Sequence, residues 1–338
     1  MFTMKRWKIN SYEDLENCIN SDMSEIDFSV LAEEYYGTMV EIPKRKGKRT
    51  ICVIDKSSHL YHIQRNFKKN FLDNIALSDR AFGFVKGESY FDYLYEHTHS
   101  IFKDFYLRID IKDFFGSING KHIEDVFDFY VDGEDKESII EDIKQIVLYD
   151  NKLVQGTPIA PSISNIVFRQ IDIRIERYCD KCGVSYSRYA DDLLFSSNKK
   201  GVLDRRFIRT IERILQSKNF YINYDKVRLS TQSIALNGFV IDKDVRLSRK
   251  KIKRISGMVY YLERNPIKDS KAWFDDFNDY IQYFGYDKFE QKNEIINSLA
   301  GNRSFIIAAI RYAGDGKYKE RCKKLISRIE KQIDFISK

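Results

Sequence analysis

The chain has 338 residues, of which 43% are hydrophobic and 32% charged, with only 16 glycines and 4 prolines. That composition excludes disordered, collagen-like and low-complexity classes and leaves room for a sizeable core. Lysine and arginine number 57 against 50 acidic residues, a net charge of +7, moderate enough that distribution matters more than the sum. No apolar run approaches the ~18 residues of a membrane span. The opening MFTMKRWKIN lacks the apolar segment of a signal peptide. Cys18, Cys52, Cys179, Cys182 and Cys322 are scattered, as suits a reducing compartment. The expectation is a soluble, cytoplasmic protein with no membrane partner.

Residues 1–40 carry three basic and eight acidic side chains, and residues 42–50 (IPKRKGKRT) then carry five basic groups and no acid. Leu107, Ile109 and Ile111 alternate with Tyr106, Arg108 and Asp110, a strand period that puts Asp110 on the less apolar face. Ile139, Ile140, Ile143, Ile146 and Val147 follow helical spacing, as do Ile163, Val167, Ile171 and Ile175 in a helix expected to start after Pro158–Pro161. Residues 186–189 and 193–197 read as two strands joined at Ala190-Asp191-Asp192, and residues 234–241 and 245–247 as a second hairpin around Asp242-Lys243-Asp244. The pattern then turns helical at Ile252, Ile255, Val259 and Leu262, stopping near Pro266, with a last helix through Cys322, Leu325, Ile329, Ile333 and Ile336. Further basic blocks lie at Arg246–Arg254 and Lys317–Lys324. With 22 tyrosines and 24 phenylalanines, these blocks suit a polyanion that is both charged and stackable, or else solvated helix faces.

Asp110 ends a strand, and Asp191 with Asp192 sits at a hairpin tip. Carboxylates on neighbouring strand ends suit a two-metal phosphoryl-transfer site, in which paired cations activate an attacking hydroxyl and stabilise the leaving oxygen. An Asp-Asp pair alone is weak evidence, since Asp275-Asp276 also occurs and reads as helix surface.

Tyr189-Ala190-Asp191-Asp192 is a YADD box, and with its neighbours the chain resembles a bacterial retron-type reverse transcriptase. LRIDIKDFFGSI resembles the first palm motif, QGTPIAPSISN the second, SRYADDLLFS the third and NFYINYDKVRLS the fourth, with LNGFVI as the primer-grip strand. IPKRKGKRTICVI and AFGFVKGES resemble successive fingers motifs. The resemblance covers about residues 40–312 and implies an α+β right-hand polymerase. Residues 1–40 would be a helical extension, 41–105 the fingers, 106–248 the palm with a fingers insertion around 120–155, and 249–338 a helical thumb. It implies that Asp110, Asp191, Asp192 and the backbone carbonyl of Ile111 hold two Mg²⁺ ions, with Mn²⁺ as a substitute. Lys226 would stand near the leaving pyrophosphate, able to act as general acid. Lys44 and Arg49 would grip the triphosphate, with arginine able to fork onto phosphate oxygens. Gln155-Gly156 would let backbone approach the nucleotide. Phe115 would lie under the sugar and reject a 2′-hydroxyl, favouring dNTPs. Lys86, Arg249, Lys250, Lys253 and Arg254 would contact nucleic acid.

The resemblance further implies a structured non-coding RNA as template and primer, a DNA product, an effector or toxin protein as partner, and a role in anti-phage defence. Two branch signatures are partial here. The Asn-Ala-x-x-His box aligns with Tyr93–His97 and keeps only the histidine; the Val-Thr-Gly box aligns with Leu236-Asn237-Gly238 and keeps only the glycine. A LAGNRSF segment at 299–305 also resembles the retron type. The alternatives are a defence-associated or abortive-infection reverse transcriptase that primes or templates differently, and an RNA-binding protein with dispensable catalysis. Cys179-x-x-Cys182 has no second pair and reads as two helix-end thiols rather than a zinc site. His59-x-x-His62 and His97-x-His99 read as polar surface or RNA contacts.

Overall fold

The computed structural model describes residues 8–36, 39–43, 48–98, 105–268, 270–311, 313–314 and 316–337. In chain order the helices are α1 (Tyr12–Ile19), α2 (Phe28–Tyr36), α3 (His59–Asn70), α4 (Tyr90–Tyr95), α5 (Gly120–Tyr130), α6 (Lys136–Val147), α7 (Ala160–Cys182), α8 (Arg205–Gln216), α9 (Arg249–Arg264), α10 (Lys271–Gln282), α11 (Lys292–Arg311) and α12 (Gly316–Ile336). The strands are β1 (Met39–Pro43), β2 (Lys48–Cys52), β3 (Phe105–Asp110), β4 (Leu148–Tyr149), β5 (Lys152–Leu153), β6 (Ser185–Tyr189), β7 (Asp192–Ser197), β8 (Arg228–Thr231), β9 (Ile234–Leu236), β10 (Phe239–Ile241) and β11 (Val245–Leu247). The chain forms two compact units. One comprises Met1–Ser89, Leu107–Phe195 and Gly201–Arg228, the other Tyr90–Tyr106, Ser196–Lys200 and Leu229–Lys338.

In the first unit β7 lies between β6 and β3. The alternation read along β3 is incomplete: Tyr106, Leu107, Ile109 and Asp110 are all buried, and Arg108 is half-buried. A strand covered on both faces has no solvated side for charged residues, so Arg108 and Asp110 must find partners inside the protein. Helix α7 turns Ile163, Ile166, Phe168, Ile171, Ile175 and Cys179 inward. It begins at Ala160 rather than after Pro161, because proline is tolerated in the first turn, where its missing N–H has no partner to lose. It ends at Gly183, whose φ of 67° supplies a left-handed cap. Strands β1 and β2 pair antiparallel from Met39↔Cys52 to Pro43↔Lys48. The Cys52 N–H donates to the Gln155 carbonyl at 2.7 Å, tying β2 to the loop before α7. A Cβ on Gly156, at φ +106°, would stand 2.4 Å from the Cys52 carbonyl oxygen. That glycine is required by the close approach of β2.

In the second unit β9, β10 and β11 form an antiparallel meander. The single strand expected over residues 234–241 is broken by Asn237 (φ 47°) and Gly238 (φ 89°). An Asn-Gly pair with both φ values positive forms the two-residue hairpin turn that strand twist favours, and Leu236 pairs with Phe239 across it. Phe239 packs on Phe91 at 4.8 Å and on Phe305 at 4.6 Å between ring centroids. His97 is fully buried, its Nδ1 2.7 Å from the Ser196 Oγ. It is therefore no surface contact, because a helix-end histidine turned inward is accommodated once a hydroxyl satisfies its ring nitrogen. His99 lies outside the described residues. Helix α9 starts at Ser248, whose hydroxyl accepts from the Lys251 N–H, and packs against α10 and α12. Cys179 and Cys182 occupy the last turn of α7, and Asp275 and Asp276 are exposed on α10. Among the described residues no helix is long and apolar enough to cross a membrane.

Two glycines make the packing argument testable with opposite signs. Gly156→Ala is expected to cost about 2 kcal/mol or more, because it combines a left-handed backbone with a backbone clash. Gly301→Ala, inside α11 where a Cβ meets nothing within 4 Å, is expected to stabilise by about 0.5–1 kcal/mol. Thermal midpoints from circular dichroism should fall in that order around the wild type.

Candidate active site

The turn between β6 and β7 sets the geometry. Ala190 has φ 55°, a left-handed conformation uncommon for a residue with a Cβ, and Asp191 and Asp192 follow directly. The packing beneath it fixes the conformation. Arg188 is wholly buried; its guanidinium forks onto Asp172 of α7 at 2.9 and 2.8 Å and donates to the Ala190 carbonyl at 3.2 Å. Asp172 also accepts from the Tyr186 hydroxyl at 2.7 Å. The guanidinium carbon lies 4.7 Å from the Phe168 ring centroid, adding a desolvated cation–π contact. On the other side a Cβ at Gly83 would stand 2.6 Å from the Ala190 nitrogen, and the Gly83 carbonyl accepts from Asn165 at 2.9 Å. The turn is clamped between an ion pair and a glycine.

Asp110 closes β3 beside this turn, the Ile111 N–H donating to the Asp191 carbonyl at 2.9 Å. Residues 221–223 pair with the chain just beyond β3: the Lys112 N–H donates to the Tyr221 carbonyl at 2.8 Å, and the Asn223 N–H to the Asp110 carbonyl at 2.8 Å. The Asn223 amide then donates to Asp110 Oδ1 at 3.1 Å, and the Lys226 ammonium to Oδ2 at 2.9 Å. Arg108 holds Asp192 through contacts of 2.9, 2.5 and 2.7 Å. Burial nevertheless pushes the Asp192 carboxyl up to about 6 against the pull of Arg108, with the Asp191 charge adding to the rise. The Asp191 carboxyl is raised by burial and then by the charge of Asp110, and among the described residues it makes no ion pair.

Asp110 and Asp191 open into one cavity of about 710 Å³, which Phe115, Gln155, Lys48 and Lys226 also line. The donor set suits a hard divalent cation: two carboxylates repel each other across the cavity, one of them without an ion partner, and the Ile111 backbone lies beside them. Among the described residues no three His, Cys, Asp or Glu side chains are already gathered as a cage, since Asp192 turns to Arg108. Cations such as Mg²⁺ do not need a full cage, taking one or two carboxylates and completing their shell from substrate phosphates.

The other expected residues fall in several places. Phe115 is half-buried at the cavity with its ring 5.4 Å from Phe114, and Phe114 is the core residue of the pair. Gly156 lies against β2 and not among the lining residues of the cavity. Lys44 lies outside the described residues; Arg49 is on β2 with its backbone opposite Ile42, its side chain outside what is described. Lys86 is exposed on a turn. Arg249, Lys250, Lys253 and Arg254 lie on the first turns of α9, in the second unit. Sequence reasoning missed Arg108, Asn223, Arg188, Asp172 and Lys48. Arg108 was detectable as a charge two residues before Asp110 on the same strand face, and Asp172 as an acid beside Ile171 within an apolar helical stripe.

Residues 42–258 match the family model described as Reverse transcriptase (RNA-dependent DNA polymerase), and the chain belongs to that family, whose α+β right-hand fold it shares. The chain is 27% identical over 274 residues to the retron Ec86 reverse transcriptase of Escherichia coli, covering 78% of this chain and 83% of that one. It is 32% identical over 267 residues to the retron Ec73 reverse transcriptase of E. coli, covering 73% and 81%, and 25% identical to the retron Mx65 reverse transcriptase of Myxococcus xanthus, covering 74% and 62%. A solved telomerase from Candida albicans, in complex with a fragment of telomeric RNA, superposes with a TM-score of 0.49 at 13% identity over 86% of this chain and 63% of that one, too loose a likeness to add weight. The chain is a bacterial retron-type reverse transcriptase, a nucleotidyltransferase with RNA-directed DNA polymerase activity. Its family uses divalent metal ions, copies RNA templates and makes DNA.

The clamp beneath Ala190 separates stability from geometry. Arg188→Met leaves the Asp172 charge buried and unpaired, an expected loss of about 3–5 kcal/mol. Adding Asp172→Leu removes that charge and should recover most of the thermal midpoint. Primer extension should stay impaired in the double variant, because the Ala190 carbonyl still lacks its donor. Full recovery of extension would show that the guanidinium does not hold the turn.

Proposed function

We propose that the chain copies a structured non-coding RNA into DNA in the cavity that Asp110 and Asp191 share, with two Mg²⁺ ions held by Asp110, the Ile111 carbonyl, Asp191 and Asp192. The observation that carries this reading is the convergence of Asp110, Asp191, Phe115, Gln155 and Lys226 on one polar cavity, although they are spread over more than a hundred residues of sequence. When bound, the ions neutralise phosphate charge and lower the pKa of the primer 3′-hydroxyl. Asp110 and Asp191 orient the reacting groups in line, which suits a transfer that depends on positioning and charge more than on covalent help. Arg108 holds Asp192 in one orientation. Lys226, half-exposed at the cavity wall, balances Asp110 and stands ready to give a proton to the pyrophosphate oxygen as it leaves. Lys44 and Arg49 grip the triphosphate from the segment that carries Lys48.

Phe115 closes the sugar side of the cavity and selects dNTPs by clash with a 2′-hydroxyl. Lys86 and the basic turns of α9 hold nucleic acid. The same reading makes the RNA both template and primer, places the enzyme in bacterial anti-phage defence in the cytoplasm, and gives it an effector protein as partner.

Two measurements test this reading. Asp191→Asn is expected to abolish nucleotide incorporation on a primed RNA template while RNA affinity stays near wild type; robust synthesis by that variant would sink the assignment. Phe115→Ala is expected to raise the use of rNTPs relative to dNTPs by roughly 10- to 200-fold, the range for removing a steric discriminator. In both assays chelation should stop synthesis and added Mg²⁺ should restore it.

A further inference from the structure

Phe84 combines two features that each cost free energy. Its backbone lies in the left-handed region at φ 63°, an outlier for a bulky side chain, and its ring is 51% exposed. The chain just before it is pinned. The Phe82 N–H donates to the Arg188 carbonyl at 2.9 Å, and the Arg188 N–H to the Arg80 carbonyl at 2.7 Å. The Asn165 amide donates to the Gly83 carbonyl at 2.9 Å, and Gly83 itself is pressed against the Ala190 nitrogen. Backbone strain persists where the surroundings over-determine it, and it gathers at functional sites. None of these contacts uses the Phe84 side chain, so what they accomplish is the placement of its ring.

That ring reaches two others. Its centroid lies 6.2 Å from that of Phe115, met edge-on, and 6.5 Å from that of Tyr189, the residue before the Ala190 turn. Both separations fall within the roughly 4.5–7 Å of interacting aromatic pairs. Phe115 also meets Phe114 at 5.4 Å, and Phe114 is packed in turn on Phe168 and Phe220. The cavity shared by Asp110 and Asp191 is lined by Phe115 but not by Phe84. Phe84 opens instead onto a separate cavity with Leu72, Ile75 and Val85. It meets Phe115 without lining the space that a nucleotide would fill.

We propose that Phe84 is a positioning residue for sugar selection, its ring blocking the Phe115 ring from turning aside when a ribonucleotide enters. The inference rests on the reading of Phe115 as the residue that excludes a 2′-hydroxyl. A clash discriminates only as well as the clashing ring is held, since a phenylalanine free to change rotamer yields to the extra oxygen. Phe114 is the chain neighbour of Phe115, whereas Phe84 comes from a separate segment pinned to β6. It therefore holds the Phe115 ring against the same strand that carries the catalytic turn.

The test measures kcat/KM for one dNTP and its matching rNTP on a primed RNA template. The full-length proteins compared are wild type, Phe84→Ala, Phe84→Tyr, Phe115→Ala and the Phe84→Ala/Phe115→Ala double variant. A ratio of two values on one preparation does not depend on the fraction of folded enzyme, so a purely structural loss leaves it unmoved. Phe84→Ala is expected to raise relative rNTP use by roughly 2- to 10-fold, the worth of one aromatic pair, with Phe84→Tyr close to wild type. Added to Phe115→Ala it is expected to change the ratio no further, as for two residues acting through one contact. Should Phe84→Ala lose its fold, Phe84→Leu removes the flat ring while keeping apolar bulk, and a smaller rise of the same sign is expected. An unchanged ratio in the Phe84 variants beside a raised one in Phe115→Ala would overturn the inference and leave the sugar reading standing. So would an equal rise in both backgrounds, or weaker template binding with the ratio intact, which would mark Phe84 as a strand contact. An unchanged ratio in Phe115→Ala would remove the sugar reading itself, and with it the part given to Phe84.

Discussion

Placing three carboxylates at the ends of two neighbouring buried strands concentrates negative charge where water cannot solvate it, and much of the first unit is arranged to hold that charge still. The tightest element is the Arg188–Asp172 pair, with both side chains fully buried. A buried pair of this kind gains little net stability against an apolar replacement. Its value here is positional: Arg188 reaches the Ala190 carbonyl and fixes a left-handed turn whose next two residues are Asp191 and Asp192. Gly83 allows the opposing backbone to approach the same turn, so the carboxylates sit on a backbone with little freedom to relax.

The three carboxylates are treated unequally. Arg108 forks onto Asp192, and Asn223 with Lys226 satisfies Asp110, while Asp191 faces the cavity with no ion partner among the described residues. This leaves one anion and part of another directed at the same space, a local field that draws in cations carrying a phosphate with them. Asp192, though adjacent in sequence to Asp191, is turned to Arg108 and does not line that cavity. In the second unit Lys251 and Arg254 are held against aromatic rings and, among the described residues, make no ion pair.

Much of this was legible in the sequence, for identifiable reasons. Asp110 and the Ala190-Asp191-Asp192 turn were readable because strand periodicity changes sharply at carboxylates, and because the ordered motifs around them are specific. Helices α6, α7, α9 and α12 were readable from apolar residues at helical spacing. The supporting residues were not. Arg188 looks like one polar position in an alternating strand, and its partner Asp172 is sixteen residues earlier on a different element; only the fold brings them together. His97 reads as polar surface or an RNA contact because a lone histidine carries no sign of the Ser196 hydroxyl awaiting it. The Asn237-Gly238 turn is written in the sequence, but the apolar residues on both sides give the pattern of one longer strand. Gly156 was expected to serve the nucleotide, whereas β2 occupies the space a side chain would take.

The most direct test of the account is the nucleic acid the enzyme makes and holds. Wild-type protein and an Asp110→Asn variant would each be expressed with the native flanking DNA, purified, and their bound nucleic acid resolved after RNase and after DNase treatment. A discrete DNA of fixed sequence joined to RNA is expected in the wild type and absent from the variant. Bound RNA with no DNA in either sample, or DNA of heterogeneous sequence, would contradict a polymerase dedicated to one structured template.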